Sequence, residues 1–256
     1  MTAVQSVLLT GGGSGIGGAA AVELAERGCQ VLISGRRVHA LESIASSSER
    51  IDMLAGDVTD SAHRASLAQR LADLPGPRAV FHAAGYFQAG KLDTLTSDDW
   101  RRSFETNVEA RWALSQVCAP LLDDGRVLFI GSDAGMNPRP GAGAYSIAQA
   151  ASETLRRTLQ AEWSGSSRAV GSFKPGLVDT DMVRGFMELS ADEFPAKLVY
   201  EDYISRGELA SASVVAKFAA WLLLDVPSAR FATTEWDIRD GEHWSRERQE
   251  MLKFLS

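Results

Sequence analysis

Cysteine and histidine are scarce in this chain of 256 residues, which contains two of the first and four of the second. The two cysteines, Cys29 and Cys118, lie in apolar stretches, so we expect reduced core positions and no disulfide framework. The four histidines are scattered without the spacing of metal ligands, so we predict no metal site. They are His39, His63, His82 and His243.

Excess positive charge and long apolar runs are also missing. The formal net charge of −7 at pH 7 argues against general binding to a nucleic-acid backbone, which usually requires a basic face. No apolar stretch approaches the length of a membrane span, and the run WLLL at 221–224 is expected on the buried side of a helix. Residues 1–10 lack the basic start and cleavage site of a signal peptide, so we expect a cytoplasmic protein without membrane contact.

Short apolar runs alternate with amphipathic segments along most of the chain. The runs predict strands near 1–10, 30–34, 51–55, 79–83, 127–130, 169–173 and 235–238. The other segments predict helices near 19–27, 38–48, 61–74, 97–122, 144–163 and 210–224. This alternation implies a parallel sheet with right-handed crossovers. We therefore predict an α/β fold in which one Rossmann-type domain, residues 1–256, contains a doubly wound sheet of about seven strands flanked by helices.

The alternating pattern weakens between about 181 and 210. Acidic side chains are mixed there with aromatic and methionine side chains, among them Phe186, Phe194 and Tyr200. This segment is predicted to be a variable lid over the substrate rather than a core element, and its side chains suggest a moderately apolar substrate. The same side chains could instead contact the core or a second subunit.

A glycine cluster joins the first predicted strand to the first predicted helix. Residues 10–17 read TGGGSGIG, directly after the apolar run Val7 to Leu9. Glycines let a pyrophosphate approach the main chain, where the N–H groups and the positive pole of a helix stabilise its charge. The cluster alone could be a flexible turn, but its place between strand and helix favours a dinucleotide site.

Polar residues follow the later strands, so their side chains are expected to converge at one edge of the sheet. Ser132 follows a predicted strand, Tyr145 lies thirteen residues further near a helix start, and Asn107 lies inside the preceding long helix. With these residues the chain resembles the short-chain dehydrogenase/reductase family over nearly its whole length. The other motifs that carry the resemblance are TGGGSGIG at 10–17, Asp57-Val58, Ala84-Gly85, PGLVDT at 175–180 and Asp240-Gly241, all in the family's order.

The resemblance implies roles for these residues. Tyr145 would be the acid or base that exchanges a proton with a substrate oxygen, and Ser132 would orient that oxygen. Asn107 would bend its helix locally and hold a water of the proton relay. Asp57 would receive the adenine edge with Val58 against the ring, and Thr180 would bind the nicotinamide carboxamide or cap a helix. The cofactor-binding set is Gly11, Gly13, Ser14, Gly15, Ile16, Gly17, Arg36, Arg37, Asp57, Val58, Ala84, Gly85, Asn107, Tyr145, Gln149, Pro175, Gly176, Val178 and Thr180.

Gln149 departs from the family pattern, which places a lysine four residues after the tyrosine. A glutamine amide can replace the lysine's hydrogen bonds to the nicotinamide ribose but not its charge. At ~5 Å and an effective dielectric near 20, that charge is worth about 3 kcal/mol, or roughly two pKa units on the tyrosine. We therefore expect a neutral Tyr145, which suits reduction of a carbonyl better than oxidation of an alcohol. Lys174 could supply a compensating ammonium group, or it could simply point to solvent.

The end of the second predicted strand bears on the choice of cofactor. NAD-preferring relatives place an acid there, whereas this chain has Gly35 followed by Arg36 and Arg37. A guanidinium can bind a 2′-phosphate that an acid would repel, so NADP(H) is predicted over NAD(H). The arginines could also only cap or solvate the next helix. A second departure is Ala83, where the family usually has asparagine.

Three functions remain open on the sequence. The first is an NADP(H)-dependent reductase of a ketone or aldehyde, with a small-molecule carbonyl or alcohol as substrate. The second is a nucleotide-binding or regulatory protein that has lost efficient turnover, and the third is an isomerase or dehydratase in which Tyr145 acts as a neutral acid. The helices predicted at 97–122 and 144–163 match those that relatives pair across subunits, so we expect a homodimer or homotetramer with Trp112 and Trp163 in such faces.

Overall fold

A seven-stranded parallel sheet forms the centre of the protein, as the computed structural model shows for residues 4–241 and 243. Residues 1–3, 242 and 244–256, which the predicted domain includes, lie outside the described residues. The strands are β1 (Ser6–Thr10), β2 (Gln30–Gly35), β3 (Ile51–Ala55), β4 (Arg78–His82), β5 (Arg126–Ile130), β6 (Ala169–Lys174), then β7 (Leu177–Val178) and β8 (Leu209–Ala210), which pair only with each other, and β9 (Trp236–Asp237). The order β3-β2-β1-β4-β5-β6-β9 confirms the predicted doubly wound sheet.

Helices cover both faces of this sheet. They are α1 (Gly15–Glu26), α2 (Val38–Ala45), α3 (Ser61–Ala72), α4 (Ser97–Phe104), α5 (Ala110–Cys118), α6 (Gly143–Glu162), α7 (Asp181–Met187), α8 (Lys197–Ser205), α9 (Ala212–Leu224) and α10 (Ser228–Thr233). One core holds buried side chains of α1 and α9, and the core on the other face holds those of α3, α5 and α6. Cys29 and Cys118 are buried in these cores as free thiols, as predicted.

The helix predicted over 97–122 is divided into four consecutive helical segments. A π-helical segment, Glu105–Glu109, separates α4 from α5, and a 3₁₀ turn, Ala119–Leu121, follows α5. The segment places Asn107 in the interior, where its side chain is fully buried. A π segment often marks a functional position. The predicted local distortion at Asn107 is therefore present.

The segment predicted as a lid has a small core of its own. It contains α7, α8 and β8, and its buried side chains include Phe186 and Phe194, the second of which is 0% exposed. The ring of Phe194 lies 5.1 Å from that of Phe186 and 5.6 Å from that of Tyr200, measured between centroids. These aromatic contacts order the segment more firmly than its weak sequence pattern suggests.

Glycines let the loop after β1 pack closely against its neighbours. Gly11 has φ +72°, and a Cβ there would lie 2.7 Å from the Ala84 backbone nitrogen. A Cβ on Gly17 would lie 2.3 Å from the Gly11 carbonyl oxygen. This loop follows β1, next to the point between β1 and β4 where the strand order of the sheet changes direction. A crevice therefore opens there, at the carboxyl ends of the strands.

The described part of the chain has neither a membrane span nor a cluster of metal ligands. None of its helices combines the length and the hydropathy that crossing a bilayer requires. Among the same residues, no group of three or more His, Cys, Asp and Glu side chains could hold a metal ion.

Candidate active site

A cavity of about 1070 Å³ opens at the carboxyl ends of the strands. Almost every residue predicted to act at the site lines it. From the predicted set these are Gly11, Gly13, Ser14, Gly15, Ile16, Gly17, Arg36, Arg37, Asp57, Val58, Ala84, Gly85, Ser132, Tyr145, Gln149, Pro175, Gly176, Val178 and Thr180. The fold therefore brings together residues that are far apart in sequence.

Asn107 is the predicted site residue that does not line the cavity. Its Oδ1 accepts a hydrogen bond from the Tyr86 backbone nitrogen (3.0 Å), and its Nδ2 donates to the Tyr86 carbonyl oxygen (2.8 Å). Both ends of the amide are thus engaged with the segment that follows β4. In this structure Asn107 holds that segment in place and does not reach the cavity itself.

The N-terminus of α1 is open toward the cavity. Ser14 is the N-cap residue, but its side chain makes no capping hydrogen bond to the helix. Its Oγ instead accepts a hydrogen bond from Arg37 Nη2 at 2.6 Å. The first N–H groups of the helix are left for a ligand, and this arrangement fits an anionic phosphate group.

Arg36, Arg37 and Asp57 form the polar end of the cavity. Arg37 contacts Ser14 and lies 3.7 Å from the Asp181 carboxylate at the start of α7. Burial raises the pKa of Asp57, but hydrogen bonds from Thr59 and the charge of Arg36 outweigh it and lower the pKa below its usual value. The Asp57 Oδ1 accepts two of these bonds, from the Thr59 backbone nitrogen and hydroxyl, both at 2.9 Å. Asp57 is therefore an anion that its own turn holds in place.

Tyr145 lies on α6 beside Ser132 and Gln149. Burial raises the pKa of Tyr145, while hydrogen bonding to Ser132, the charge of Arg111 and hydrogen bonding to Gln149 lower it, and the net direction is upward. The phenol is therefore protonated at neutral pH. The Phe87 ring contacts it edge-on, with centroids 5.3 Å apart and planes at 67°. Ser132, Gln149 and Phe87 are therefore neighbours of the phenol.

Gln149 contains an unsatisfied acceptor next to this phenol. The residue is 4% exposed, and its Oε1 has no hydrogen-bond partner in the described structure. A buried amide oxygen without a partner is costly and usually has a ligand or water nearby. A ribose hydroxyl could donate to it, so the unpaired atom fits a nicotinamide nucleotide.

Lys174 and Thr180 occupy different surroundings. Lys174 ends β6 in register with Asp237 of β9. It is not among the described residues that line the cavity. Burial raises the pKa of Asp237, but hydrogen bonds from Arg239 and the charges of Arg239 and Lys174 outweigh it and lower that pKa below its usual value. Thr180 lines the cavity and caps α7, because its Oγ1 accepts a hydrogen bond from the Val183 backbone nitrogen at 3.4 Å. The predicted capping role of Thr180 is confirmed.

Several residues at the cavity were not predicted from the sequence. Arg111, Phe87, Arg139 and Arg239 line it together with Tyr200 and Tyr203 of the predicted lid segment. Arg111 had a recognisable signal, since it is a charged residue among the apolar positions Ala110, Ala113 and Leu114 of one helix. Phe87, Arg139 and Arg239 lie outside the helices and strands, where periodicity carries no information.

Comparison with known proteins assigns the chain to a family. The family model described as short chain dehydrogenase matches residues 5–189. The chain belongs to that family. Its strand order, the glycine loop after β1 and the Ser132–Tyr145 pair agree with the resemblance stated from the sequence.

Individual short chain dehydrogenases and related proteins are similar over most of this member's length. The 2,3-dihydro-2,3-dihydroxybenzoate dehydrogenase of Escherichia coli (strain K12) is 32% identical over 184 residues, 70% of this chain and 72% of its own. The crystal structure of the KRED1-Pglu enzyme has a TM-score of 0.82 at 26% identity and covers 88% of this chain and 97% of its own. A short chain dehydrogenase from Burkholderia cenocepacia J2315 in complex with NADP has a TM-score of 0.78 at 26% identity, with 91% and 94% covered. The protein is thus an oxidoreductase of this family.

Proposed function

We propose that this protein is an NADP(H)-dependent reductase that converts a ketone or aldehyde to an alcohol. The observation that carries the proposal is the Ser132–Tyr145 pair, which meets inside the cavity that the glycine loop opens into. Such a pair can hold a carbonyl oxygen with one hydroxyl and protonate it with the other.

The site fits a nicotinamide cofactor on two structural observations. The first turn of α1 has no side-chain cap, so its N–H groups are available to a pyrophosphate. The Gln149 Oε1 is buried without a partner beside the phenol, where it would accept a hydrogen bond from a ribose hydroxyl. Gln149, in the place of the family's lysine, would bind the nicotinamide ribose without adding a positive charge.

NADP(H) is favoured over NAD(H) by the charges at the end of β2. Gly35 leaves space there, and Arg36 and Arg37 line the cavity with positive charge. Their guanidinium groups would bind a 2′-phosphate with charge-assisted hydrogen bonds. The related Burkholderia cenocepacia protein in complex with NADP supports the same choice.

When bound, the reduced cofactor supplies a hydride to the carbonyl carbon. The Ser132 hydroxyl donates a hydrogen bond that holds the substrate oxygen, and the Tyr145 hydroxyl gives its proton to the same oxygen. The C=O π bond breaks, new C–H and O–H bonds form, and one proton per turnover is taken up from solution. Because burial raises the pKa of Tyr145, the phenol carries at neutral pH the proton that reduction consumes.

The walls of the cavity indicate the kind of substrate. Phe87, Phe186, Tyr200 and Leu177 give it an apolar side, and Arg139 and Arg239 add charge at the margin. We therefore propose a moderately apolar carbonyl compound that is large enough to contact the lid segment.

A homo-oligomer is proposed from exposed apolar side chains on the helices of one face. Trp112 on α5 is 47% exposed, and Ile147 on α6 is 41% exposed. Val117 on α5 is also exposed, so the two helices present apolar surface that a second copy could cover. Sedimentation analysis of the purified protein should show a dimer or tetramer, and a monomer at all concentrations would refute this.

The activity is tested by following NADPH absorbance across a panel of aliphatic and aromatic ketones and aldehydes. Consumption that requires both a carbonyl and Tyr145, with Tyr145→Phe as the inactive control, supports the reductase. NADPH binding without consumption would favour a nucleotide-binding protein, and substrate conversion at constant NADPH would favour isomerisation or dehydration.

A further inference from the structure

A buried arginine lies at the cavity next to the proposed acid. Arg111 is on α5, one helical turn after Asn107, and is only 4% exposed. Its guanidinium reaches the carboxyl ends of two strands, where Nη1 donates to the Ile130 carbonyl oxygen (2.9 Å) and Nη2 to the Ala84 carbonyl oxygen (3.3 Å). Arg111 also lines the cavity that contains Tyr145 and Gln149.

Among the described residues, no acid forms an ion pair with Arg111. Its third hydrogen bond goes from Nη1 to the Ser152 hydroxyl at 3.0 Å, so all three acceptors are uncharged. In the part of the chain that the structure describes, the Nε of Arg111 has no partner. Burial lowers the pKa of Arg111 and the charge of a Tyr145 phenolate raises it, so the guanidinium keeps its proton while the phenol titrates. A buried cation held only by dipoles is expensive, and such arrangements occur mostly where the charge has a use.

The guanidinium is fastened to the same helix that carries the proposed acid. Ser152 lies three residues after Gln149 and seven after Tyr145 on α6, a spacing that places all three on one helix face. The Ile130 carbonyl is two residues before Ser132. One rigid group therefore joins α5 to the turn that carries Ser132 and to the face of α6 that carries Tyr145.

We propose that Arg111 is a positioning residue that acts through Tyr145: its buried positive charge strengthens the phenol as an acid and stabilises the phenolate formed by proton transfer. In that step the O–H bond of Tyr145 breaks, an O–H bond forms on the substrate, and one negative charge appears on the phenol oxygen. Because Arg111 is buried, little water screens its attraction for that charge. The inference rests on the proposed function of Tyr145 as proton donor.

Other charged or titratable groups near Tyr145 do not replace this one. Arg139, in the loop before α6, acts on Tyr200 of α8, and its charge lowers the pKa of Tyr200 against the effect of burial. His82 of β4 lies next to Arg111, and burial together with the Arg111 charge lowers its pKa well below the usual value, so it is neutral. Asp133 and Tyr203 also line the cavity. The groups that lower the pKa of Tyr145 against the effect of burial are Ser132, Arg111 and Gln149, and Arg111 is the one among them that carries a charge.

The test is an ultraviolet titration of tyrosinate in the protein without cofactor. Subtracting the curve of Tyr145→Phe isolates the Tyr145 step from the other three tyrosines of the chain. Arg111→Met removes the charge and is expected to raise the midpoint pH of the Tyr145 titration by on the order of one pH unit. Arg111→Lys keeps the charge, so its midpoint should stay close to that of the unmodified protein. Arg111→Gln gives the same readout with an amide donor in place if the methionine variant does not fold.

Arg126 offers a matched control. It is also a buried arginine, 8% exposed, and donates to the Leu222 carbonyl oxygen and the Ser228 hydroxyl away from the cavity. Arg126→Met should destabilise the fold without moving the Tyr145 step. The inference would be overturned if the midpoint pH of the Tyr145 titration did not change in Arg111→Met and Arg111→Gln, or if it changed equally in Arg126→Met. A shift in Arg111→Met in a protein that reduces no carbonyl would instead refute the proposed function and leave the electrostatic role of Arg111 intact.

Discussion

The two arginines after β2 offer the most direct test of cofactor preference. We expect Arg36→Gln and Arg37→Gln each to weaken binding of NADPH while leaving NADH almost unchanged. The structural reason is that Arg37 already contacts the glycine-loop residue Ser14 and that both arginines line the cavity. Only NADPH carries the 2′-phosphate with which these guanidinium groups would pair.

The size of the effect follows from the exposure of the side chain. A charge-assisted hydrogen bond contributes roughly 1.5–3 kcal/mol, but the Arg37 side chain is 65% exposed and partly screened by water. We therefore take about 1.5 kcal/mol for each arginine, which is roughly a tenfold rise in Kd for NADPH. Asp181, 3.7 Å from Arg37, competes for the same group, so Asp181→Asn should tighten NADPH binding.

Binding is measured by quenching of tryptophan fluorescence at low and at moderate salt. Arg101→Gln is the matched control, because Arg101 is an exposed, ion-paired arginine on α4 that lies outside the cavity lining among the described residues. The difference between NADPH and NADH should shrink as salt is raised. Equal weakening of both nucleotides, or no change in either, would refute the pairing of these arginines with a 2′-phosphate.

Three further predictions concern the phenol and the glycine loop. Gln149→Lys should lower the pKa of Tyr145 by roughly two units and raise the rate of alcohol oxidation more than that of carbonyl reduction. Lys174→Met should leave both rates unchanged, because Lys174 is not among the described residues that line the cavity. In the unmodified protein the raised pKa of Tyr145 keeps the acid protonated through the neutral range, so the rate constant for reduction should be flat there and fall only on the alkaline side, while oxidation rises. A fall in reduction centred near neutral pH would contradict this. Gly17→Ala should destabilise the fold by about 1–3 kcal/mol in denaturant titrations and abolish nucleotide binding, because the new Cβ would meet the Gly11 carbonyl oxygen at 2.3 Å. Gly185→Ala, whose Cβ would meet nothing within 4 Å, should do neither.

Most of the sheet could be predicted because its signals are local. Strands buried on both faces appear as short apolar runs, and β3 (Ile51–Ala55) has the bounds predicted for it. Helix ends were less certain, since they depend on caps. The helix predicted from 210 begins instead at Ala212, because Ser211 caps it through a hydrogen bond from the Val214 nitrogen and Ala210 pairs in β8.

The candidate site was predictable in part for the same reason. Parallel strands present their carboxyl ends at one edge, so residues that follow strands converge there without any knowledge of side-chain contacts. Asn107 was harder, since its amide is satisfied by the Tyr86 backbone, a partner 21 residues away. The aromatic contacts that order the lid segment also join residues from separate elements, such as Phe87 and Phe194.

The amino-acid sequence alone determined the alternation of strands and helices, the glycine loop and the identity of the hydroxyl groups, because each depends on neighbouring residues or on one period of a helix or strand. Only the tertiary structure decided which charge lies next to the phenol. Lys174 is the cation at a strand end and Arg111 lies within a helix, but the fold pairs the first in register with Asp237 and buries the second at the cavity. Electrostatic attraction depends on distance and burial in three dimensions, and neither quantity is encoded in residue spacing.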